Sequence, residues 1–403
     1  MPQSIGLAFL GTSEYQTARY VWENESPVLT RYVQVAVQKT FDLDRFFVAM
    51  TDRAREVHEQ ALTDCMAKNG VSLERLDIDV GNSEAEWWDM FETIVEALPD
   101  EAALTIDITH GFRSQPLIAL AIAVYLQAAT DVTVERIVYG SFRGAYNKAP
   151  ILDLTPFLDL IEWSVAARQF LRDGSAKQLA RLLKNAQAEA HRTNADVKPK
   201  HASRTGSQLE SLTDAFAVVR PQEIAESRAA GLVDTLEDLQ DDVARLPGLQ
   251  PVSLVLEQIQ ERIAPMQAPS LFDQQGFAAQ MEMMRFFLQT KQFQQAVTLA
   301  REALVSHQAL QMGLSPEPVP RSEWEGSGRD QAKNHLNRLA KHSDDDRLIK
   351  EKRLGVLWAQ VIDVRNDINH AGMNPDPAPG RTLASNATTV VEDTIAYITE
   401  RPV

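Results

Sequence analysis

The sequence predicts an N-terminal α/β domain with a parallel, doubly wound sheet, followed by helices to the end of the chain. In about the first 160 residues, short apolar runs rich in β-branched residues alternate with amphipathic stretches of helical periodicity. Beyond them, strand signals nearly disappear. Strands that alternate with helices are typical of parallel βαβ units, which pack into a doubly wound sheet.

Five apolar runs have the character of buried strands, and three amphipathic stretches lie between them. The predicted strands are Ile5–Leu10, Phe46–Thr51, Arg75–Val80, Leu104–Ile108 and Val134–Tyr139. The predicted helices are Arg53–Asn69, Ser83–Leu98 and Pro116–Ala129. Ligands of doubly wound sheets bind beyond the carboxyl ends of the strands. We therefore expect binding residues in the loops that leave those ends.

Two of these loops have the composition of a phosphate site. Gly11–Tyr15 follows the first strand, and Asp107–Pro116 follows the fourth and leads directly into a helix. Glycine lets a ligand approach the backbone, and a helix N-terminus offers free N–H groups to an anion, here with Arg113 beside it. We predict a ligand that carries phosphate. A purely structural role for Gly111 and Pro116, in a turn and a helix start, stays open.

The glycine spacing also excludes some nucleotide-binding classes. Gly11 is not followed by the further glycines of a dinucleotide fingerprint, and the chain contains no G-x-x-x-x-G-K-[ST] phosphate loop. This argues against an enzyme that uses a nicotinamide cofactor. We interpret His110 as a binding residue, and its use as a general acid or base is left open.

The composition is that of a globular protein without disulfides. The chain has 403 residues, of which 44% are hydrophobic and 24% charged, and Cys65 is its one cysteine. A single cysteine excludes an internal disulfide and a cysteine-cluster metal site. No stretch approaches the roughly 20 apolar residues of a membrane span, and the first apolar run is more typical of a strand than of a signal peptide. We expect a cytoplasmic protein that does not bind membranes.

The charge argues against a protein that coats nucleic acid through a broad basic surface. The formal net charge is −16, and nearly all of this excess lies before residue 276. A basic cluster occurs in the C-terminal part: Lys333, Arg338, Lys341, Arg347, Lys350, Lys352 and Arg353. It is either a solvated helix face or a surface that contacts RNA. The overall charge permits brief, local contact with RNA.

The α/β domain covers residues 1–160, and the helical remainder divides into a connector at 161–275 and a C-terminal bundle at 276–403. We predict a helix start at Thr155-Pro156, just before the connector, and within it a polar loop at Thr193–Gly206 and a solvent-facing acidic helix at Pro221–Asp242. Prolines and a glycine between Ala264 and Gly276 mark the boundary. The predicted bundle helices are Phe277–Thr290, Phe293–Ser306, Asp330–His342, about Asp346–Ala371, and Ala384–Thr399.

The segment Arg365-Asn366-Asp367-Ile368-Asn369-His370 has the chemistry of an RNA-cleaving site. Arginine presents a planar fork of donors to phosphate oxygens, and histidine exchanges its proton near neutral pH. Together they suit attack of an RNA 2′-hydroxyl on the adjacent phosphate. By itself the hexad is a weak signal, because arginine and histidine five apart on a helix also occur by chance.

Three motifs of the N-terminal part resemble a known family. They are Phe9-Leu10-Gly11-Thr12, the segment from Asp107 to Ser114 (D-I-T-H-G-F-R-S), and the segment from Leu154 to Leu160. They resemble the CRISPR-associated Rossmann-fold (CARF) proteins that accompany type III CRISPR systems. The hexad, together with Gln294–Leu304, resembles the HEPN ribonuclease domain fused to many of them. The resemblance covers both ends of the chain and leaves the connector poorly matched.

The resemblance implies an allosteric endoribonuclease. Such proteins bind cyclic oligoadenylate (a tetra- or hexa-adenylate ring) at a CARF dimer, which activates a HEPN dimer that degrades single-stranded RNA with little sequence preference. The family mechanism needs no metal or other cofactor and leaves a 2′,3′-cyclic phosphate and a 5′-hydroxyl; no DNA partner is expected. The implied ring-binding residues are Gly11, Thr12, Ser13, Thr109, His110, Gly111, Arg113 and Ser114. The implied catalytic residues are Arg365, Asn366 and His370.

Helix geometry adds that the catalytic site needs two chains. Residues five apart on a helix point about 140° away from each other, whereas Asn366 and His370, four apart, share a face. One helix therefore cannot hold Arg365 and His370 around the same phosphate, but a two-fold dimer can. We predict a homodimer or a higher oligomer. His370 would act as general base or acid, Arg365 would stabilise the phosphorane, and Asn366 would orient His370 or the phosphate.

Two alternatives remain at the level of sequence. The chain could be a cyclic-oligoadenylate sensor or regulator without nuclease activity, although the intact hexad argues against this. The sensor domain could also cleave its own ring slowly, since Thr12, Ser13 and Thr109 place hydroxyls beside His110. Ring size and RNA preference are not predicted by the sequence.

Overall fold

The chain forms two compact units, Met1–Glu162 and Trp163–Val403. The computed structural model describes residues 2–142, 148–192, 198–245, 253–341 and 351–402. The first unit is a Rossmann-like α/β domain, and the second is helical throughout its described residues. The predicted fold class is therefore confirmed.

The first unit contains, in its described residues, an eight-stranded sheet of order β3-β2-β8-β7-β6-β1-β4-β5. The strands are β1 (Gln3–Leu10), β2 (Ala18–Trp22), β3 (Val28–Thr30), β4 (Arg45–Met50), β5 (Leu73–Asp77), β6 (Ala102–Asp107), β7 (Thr133–Gly140) and β8 (Lys148–Asp153). The five strands predicted from sequence are adjacent and all parallel: β7-β6-β1-β4-β5. Around them lie α1 (Val33–Phe41), α2 (Asp52–Ala67), α3 (Glu84–Ala97) and α4 (Gln115–Ala129).

The sheet is mixed rather than purely parallel, which corrects one expectation. Strands β2, β3 and β8 extend it beyond β7, with antiparallel pairs between β7 and β8 and between β2 and β3. These strands are short, and β8 contains Pro150, which weakens a strand signal. Helix α1 also lacks a helical signal, because its sequence V-Q-V-A-V-Q alternates like a strand. Its first six residues are all buried, so tertiary packing decides its conformation.

Both faces of the sheet are covered. In β1, Ile5, Leu7 and Phe9 belong to one hydrophobic core, whereas Ala8 and Leu10 belong to the core on the opposite face. A strand buried on both sides has a continuous apolar sequence, as Ile5–Leu10 does. This packing brings the carboxyl ends of β1, β4 and β6 to the same edge of the sheet.

The second unit has one hydrophobic core, which includes residues from Trp163 to Ile398. Helix α5 (Thr155–Asp173) begins in the first unit and ends in the second. The other helices of the second unit are α6 (Lys177–Arg192), α7 (Ala202–Ala217), α8 (Pro221–Glu223), α9 (Ala229–Arg245), α10 (Ser253–Ile263), α11 (Gln274–Gln289), α12 (Phe293–Gln311), α13 (Gly328–Lys341), α14 (Lys352–Asn369) and α15 (Gly380–Thr399). Phe216 of the connector stacks on Phe286 of the C-terminal helices, with ring centroids 4.7 Å apart. Connector and C-terminal helices therefore share a core, and a separate functional role for each remains a prediction.

Two expectations for the connector are wrong. The helical segment that begins at Pro221 is not simply solvent-facing, because it buries a stripe that includes Ile224, Leu232 and Leu239. It passes through a π-helical turn at Ile224–Arg228. The predicted polar loop also ends earlier than expected, since α7 begins at Ala202; its residues 193–197 lie outside the described part of the chain.

The C-terminal helices agree with the prediction. Each predicted helix corresponds to one of α11 to α15, although His342 and residues 346–350 lie outside the described residues. The hexad helix ends at Asn369, and Ala371 and Gly372 adopt left-handed φ values of 54° and 71°. Among the described residues, no helix is long and apolar enough to cross a membrane.

Candidate functional site

The two glycine-containing loops lie side by side at one edge of the sheet. Strands β1 and β6 pair in parallel, with Ala8 opposite Asp107, so the loops that follow them leave the sheet together. A Cβ atom added to Gly11 would lie 3.3 Å from the backbone nitrogen of Gly111. Glycine at position 11 permits this close approach of the two loops.

The predicted ring-binding residues differ in how much of them a ligand could reach. Thr12, Ser13, Gly111 and Arg113 are exposed. Thr109, His110 and Ser114 are half-buried, and Gly11 is buried. In the described part of the chain, Arg113 makes no ion pair, so its guanidinium is available to an anion. All eight lie on the two loops at this edge, and their role in binding remains a prediction.

Thr109 ties the second loop to the sheet. Its backbone N–H donates to Oδ1 of Asp107 at 2.9 Å, and its hydroxyl donates to the same oxygen. The hydroxyl also accepts the N–H of Gly140, at the end of β7, at 2.7 Å. With its proton donated and one lone pair occupied, this hydroxyl mainly fixes the loop. This weakens the idea that it takes part in ring cleavage.

Asp107 carries a carboxyl group inside the protein. The residue is fully buried, and its Oδ2 has no hydrogen-bond partner among the described residues. Burial raises the pKa of Asp107 to about 6, although the hydrogen bonds from Thr109 act in the opposite direction. Near neutral pH this group therefore titrates beneath the two loops.

The turn into α4 requires glycine at position 111. Gly111 has φ +110°, and an added Cβ would lie 2.1 Å from Oε1 of Gln115. That oxygen accepts the N–H of Phe112 at 2.8 Å, while Nε2 of the fully buried Gln115 lacks a partner in the described chain. Ser114 precedes α4 without a side-chain cap. Its backbone oxygen nevertheless accepts the N–H groups of Leu117 and Ile118, the N–H of Gln115 donates to Phe112, and Pro116 has none. The first turn of α4 therefore offers no free N–H group, which corrects the expectation of an anion site at this helix start.

An aromatic stack, which sequence reasoning missed, covers part of this edge. The ring of Tyr15 lies between those of His58 and His110, with centroid distances of 4.5 Å and 3.9 Å. The Gly11 N–H donates to the Tyr15 hydroxyl at 2.8 Å. Burial lowers the pKa of His110 to about 4, so its ring is neutral, and its buried Nε2 has no partner among the described residues.

His58 holds the other side of the stack. Its Nε2 lies 2.9 Å from the carbonyl oxygen of Ser13, which can only accept, so Nε2 carries the proton. Nδ1 then accepts from the hydroxyl of Tyr32 at 3.3 Å. Burial lowers the pKa of His58. The only local sign of this role was a histidine on the buried face of α2.

The hexad forms the end of α14. Arg365 and Asn366 are half-buried, and His370 is exposed immediately after the last helical residue. Arg365 Nη1 donates to Asn366 Oδ1 at 3.4 Å, and Nε of Arg365 is buried without a hydrogen-bond partner in the described residues. The arginine therefore retains donors that a phosphate could accept. The structure thus places the three predicted catalytic residues on one helix end, with roles that remain predictions.

Two further residues fix this helix end. Oδ2 of Asp367 accepts the N–H of Ala378 at 3.0 Å and so ties down the loop that follows His370. Asn369 Oδ1 accepts from Gln294 Nε2 of α12 at 3.3 Å. Sequence reasoning placed both positions inside motifs but gave them no role, because their partners are distant in sequence.

The basic cluster is only partly described. Arg347 and Lys350 lie outside the described residues, and Arg353 pairs with Glu400 at 2.5 Å. In the ranges that the structure describes, no group of three or more His, Cys, Asp or Glu residues is arranged to hold a metal ion.

Comparison with known proteins gives one sequence relative. No protein-family model matches the chain. Over 117 residues, which are 28% of the chain, it is 28% identical to a CRISPR-associated protein of Methanocaldococcus jannaschii. The chain is similar to a CRISPR-associated protein. The resemblance inferred from the motifs is confirmed at that level, and the matched stretch spans 18% of the relative's length.

A solved structure of Enterococcus italicus Csm6 bound to cyclic hexa-2'-fluoro-hexa-dAMP aligns with 99% of this chain and 95% of its own. The sequence identity is 10% and the TM-score is 0.47. At this identity and TM-score, the candidate sites are assigned from the residues of this chain and their geometry alone.

Proposed function

We propose that the chain is a type III CRISPR accessory endoribonuclease that is activated by cyclic oligoadenylate. The observation that carries the proposal is the pairing of the two loops Gly11–Ser13 and Thr109–Ser114 at one edge of the sheet. The exposed hydroxyls of these loops, and Arg113, which makes no ion pair in the described part of the chain, suit a ligand with several phosphates. Similarity to a CRISPR-associated protein supports cyclic oligoadenylate as that ligand.

The second unit would cleave single-stranded RNA at the hexad. The RNA 2′-oxygen bonds to phosphorus, the bond from phosphorus to the 5′-oxygen breaks, and the products are a 2′,3′-cyclic phosphate and a 5′-hydroxyl. His370 transfers one of the two protons, as general base at the 2′-oxygen or general acid at the 5′-oxygen, and water exchanges the other. The unpartnered donors of Arg365 would stabilise the charge on phosphorus. Asn366, hydrogen-bonded to Arg365, would hold the guanidinium in place.

The proposed active protein is a homodimer. Helix α4 is apolar on all sides, and its outward face presents Leu117, Ala121 and Tyr125, of which Leu117 is 73% exposed. A helix without a polar face is normally covered. A second copy of the chain is the proposed cover, because the splayed Arg365 and His370 also need a second hexad. Two-fold contacts of this kind bury the same face on both subunits.

The decisive test is RNA cleavage in the presence of cyclic tetra- or hexa-adenylate, with linear adenylates as controls. We expect one ring to activate cleavage, in EDTA as well. Arg365→Ala and His370→Ala should abolish cleavage and leave ring binding intact, whereas Arg204→Ala and His191→Ala, at exposed sites of the same unit, should cleave normally.

The outcomes separate the alternatives. Cleavage that survives both hexad substitutions would refute the assignment of the active site. Ring binding by the wild-type protein without any RNA cleavage would instead support a sensor or regulator. A cytoplasmic location follows from the proposal, because type III systems act inside the cell.

A further inference from the structure

Tyr15 occupies a hydrogen-bonding position that a ligand of the first unit would need. Its hydroxyl accepts the N–H of Gly11, and its ring lies flat on His110 at a centroid distance of 3.9 Å. A ligand oxygen can reach that N–H only if the Tyr15 hydroxyl does not already lie there. The residue therefore competes with any ligand for the same position.

Little space remains between the loops while Tyr15 is in place. A Cβ atom added to Gly11 would lie 3.2 Å from the Tyr15 hydroxyl and 3.3 Å from the nitrogen of Gly111. A gap that cannot take a methyl group without tight contact cannot take a phosphate. The other atoms that bound this gap belong to the backbone of Gly11 and Gly111. Movement of the Tyr15 side chain is therefore the smallest change that opens it.

The position of Tyr15 is well defined. His58 supports the opposite face of its ring at 4.5 Å, and His58 is itself held by Ser13 and Tyr32. Tyr32 also meets the Tyr15 ring edge to face, with centroids 5.9 Å apart. Stacked and edge-to-face aromatic contacts of this kind favour one orientation of the ring.

We infer that Tyr15 occupies the place of a phosphate oxygen at the Gly11 N–H and that the anionic ligand displaces it. This inference rests on the proposed function. A phosphate oxygen carries negative charge and accepts hydrogen bonds more strongly than a neutral phenol does. Burial raises the pKa of Tyr15, which keeps it a neutral phenol. The exchange at Gly11 therefore favours the ligand, at the cost of one existing hydrogen bond.

The test is ring binding by the Tyr15→Phe variant. Phenylalanine keeps the stack on both histidines but leaves the Gly11 N–H without its acceptor. We expect cyclic tetra- or hexa-adenylate, whichever binds the wild-type protein, to bind about two- to tenfold more tightly, the factor of one ordinary hydrogen bond. The concentration of ring that half-activates RNA cleavage should fall by the same factor.

Tyr139→Phe is the control, because it removes an exposed phenol hydroxyl from β7 of the same unit, and Tyr139 takes no part in the aromatic stack. Its ring affinity should equal that of the wild-type protein. Equal or weaker binding by Tyr15→Phe would overturn the inference, since it would mean that the phenol does not compete with the ligand or contacts it directly.

A second measurement separates this inference from the proposed function. If the wild-type protein binds neither ring, the proposed function fails, and inorganic phosphate then serves as the probe. The amide resonance of Gly11 should respond to phosphate at lower concentrations in Tyr15→Phe than in the wild-type protein. An identical response in both proteins would overturn the inference.

Discussion

At the scale of single residues, the buried carboxyl group of Asp107 lowers the stability of the first unit at the candidate site. Its carboxyl group is fully buried, and two hydrogen bonds from Thr109 reach only one of its oxygens. The other oxygen has no partner among the described residues. Natural proteins retain such groups mainly where they serve a site, because an unpaired buried charge is costly.

Stability of the first unit should depend on the charge of Asp107. Its pKa is raised from 3.8 to about 6, so the folded state binds the proton more tightly than the unfolded state does. This contribution is fully present below pH 3.8 and is lost as pH rises through 6. Between pH 4 and 7, the wild-type protein should lose about 2–3 kcal/mol relative to Asp107→Asn.

Native-state hydrogen exchange of the β1 and β6 amides measures this difference in the full chain. Asp79→Asn, at an exposed position of the same unit, should follow the wild-type pH dependence. Parallel curves of stability against pH for the wild-type protein and Asp107→Asn would contradict the prediction, because they would show that burial does not penalise the charged form of Asp107.

At the scale of elements, the turn between β6 and α4 depends on one glycine. Gly111→Ala should destabilise the first unit for two reasons, a positive φ and a clash with Gln115. Gly70→Ala is the matched control, because Gly70 has φ +78° but open space around its Cβ position. We expect a loss of about 1–2 kcal/mol at Gly70 and ~1–3 kcal/mol more at Gly111.

Urea unfolding of both variants, followed by a signal from the first unit, gives the comparison. Equal losses at the two positions would mean that Gln115 moves aside without cost. Ring binding should be impaired only in Gly111→Ala, since Gly70 lies in the loop before β5, away from the loops that follow β1 and β6.

The loop between α14 and α15 is the second element that positions a candidate group. Asp367 fixes it through the Ala378 N–H, while His370 begins it. Asp367→Ala should lower RNA cleavage by about ten- to a hundredfold, because small displacements of a catalytic group have effects of that size. Asp367→Asn keeps an acceptor oxygen and should retain more activity.

Asp363→Ala, an exposed position one turn earlier on α14, is the control and should cleave normally. Ring binding should be unchanged in all three variants. If Asp367→Asn is as impaired as Asp367→Ala, the charge of Asp367 matters rather than its hold on the loop.

At the scale of the whole molecule, the hexad predicts that two inactive chains can restore activity together. A dimer of one Arg365→Ala chain and one His370→Ala chain still contains one arginine and one histidine on opposite subunits. If the site is composite, mixing the chains in equal amounts should restore about a quarter of wild-type cleavage. Half of the dimers then contain one chain of each kind, and each such dimer has one intact Arg365–His370 pair across the interface, where the wild-type dimer has two.

Cleavage assays before and after unfolding and refolding of the mixed chains provide the measurement. The doubly substituted chain, mixed with the wild-type protein, shows how much a single intact hexad contributes. Complete inactivity of the refolded mixture would indicate that each hexad works within one chain.

The sequence predicted what depends on local pattern and missed what depends on distant contacts. The five parallel strands were visible because burial on both faces makes them continuously apolar, as in Leu104–Ile108. Helix α1 was hidden by its strand-like alternation. Glycine, hydroxyl and arginine positions marked the two loops, but the partnership of Tyr15 with His58, 43 positions away, left no local trace.

The single core of the second unit limits how this protein can be recombined with its relatives. A graft that joined a foreign C-terminal part at residue 276 would separate Phe216 from Phe286 and Phe287, on which it packs. Both fragments would expose apolar surface and be prone to aggregate. Exchange of sensors should succeed instead with a junction near Glu162, where the compact units divide. The connector would therefore be inherited with the C-terminal helices, and the proposed ligand specificity would be changed by replacing the sheet domain alone.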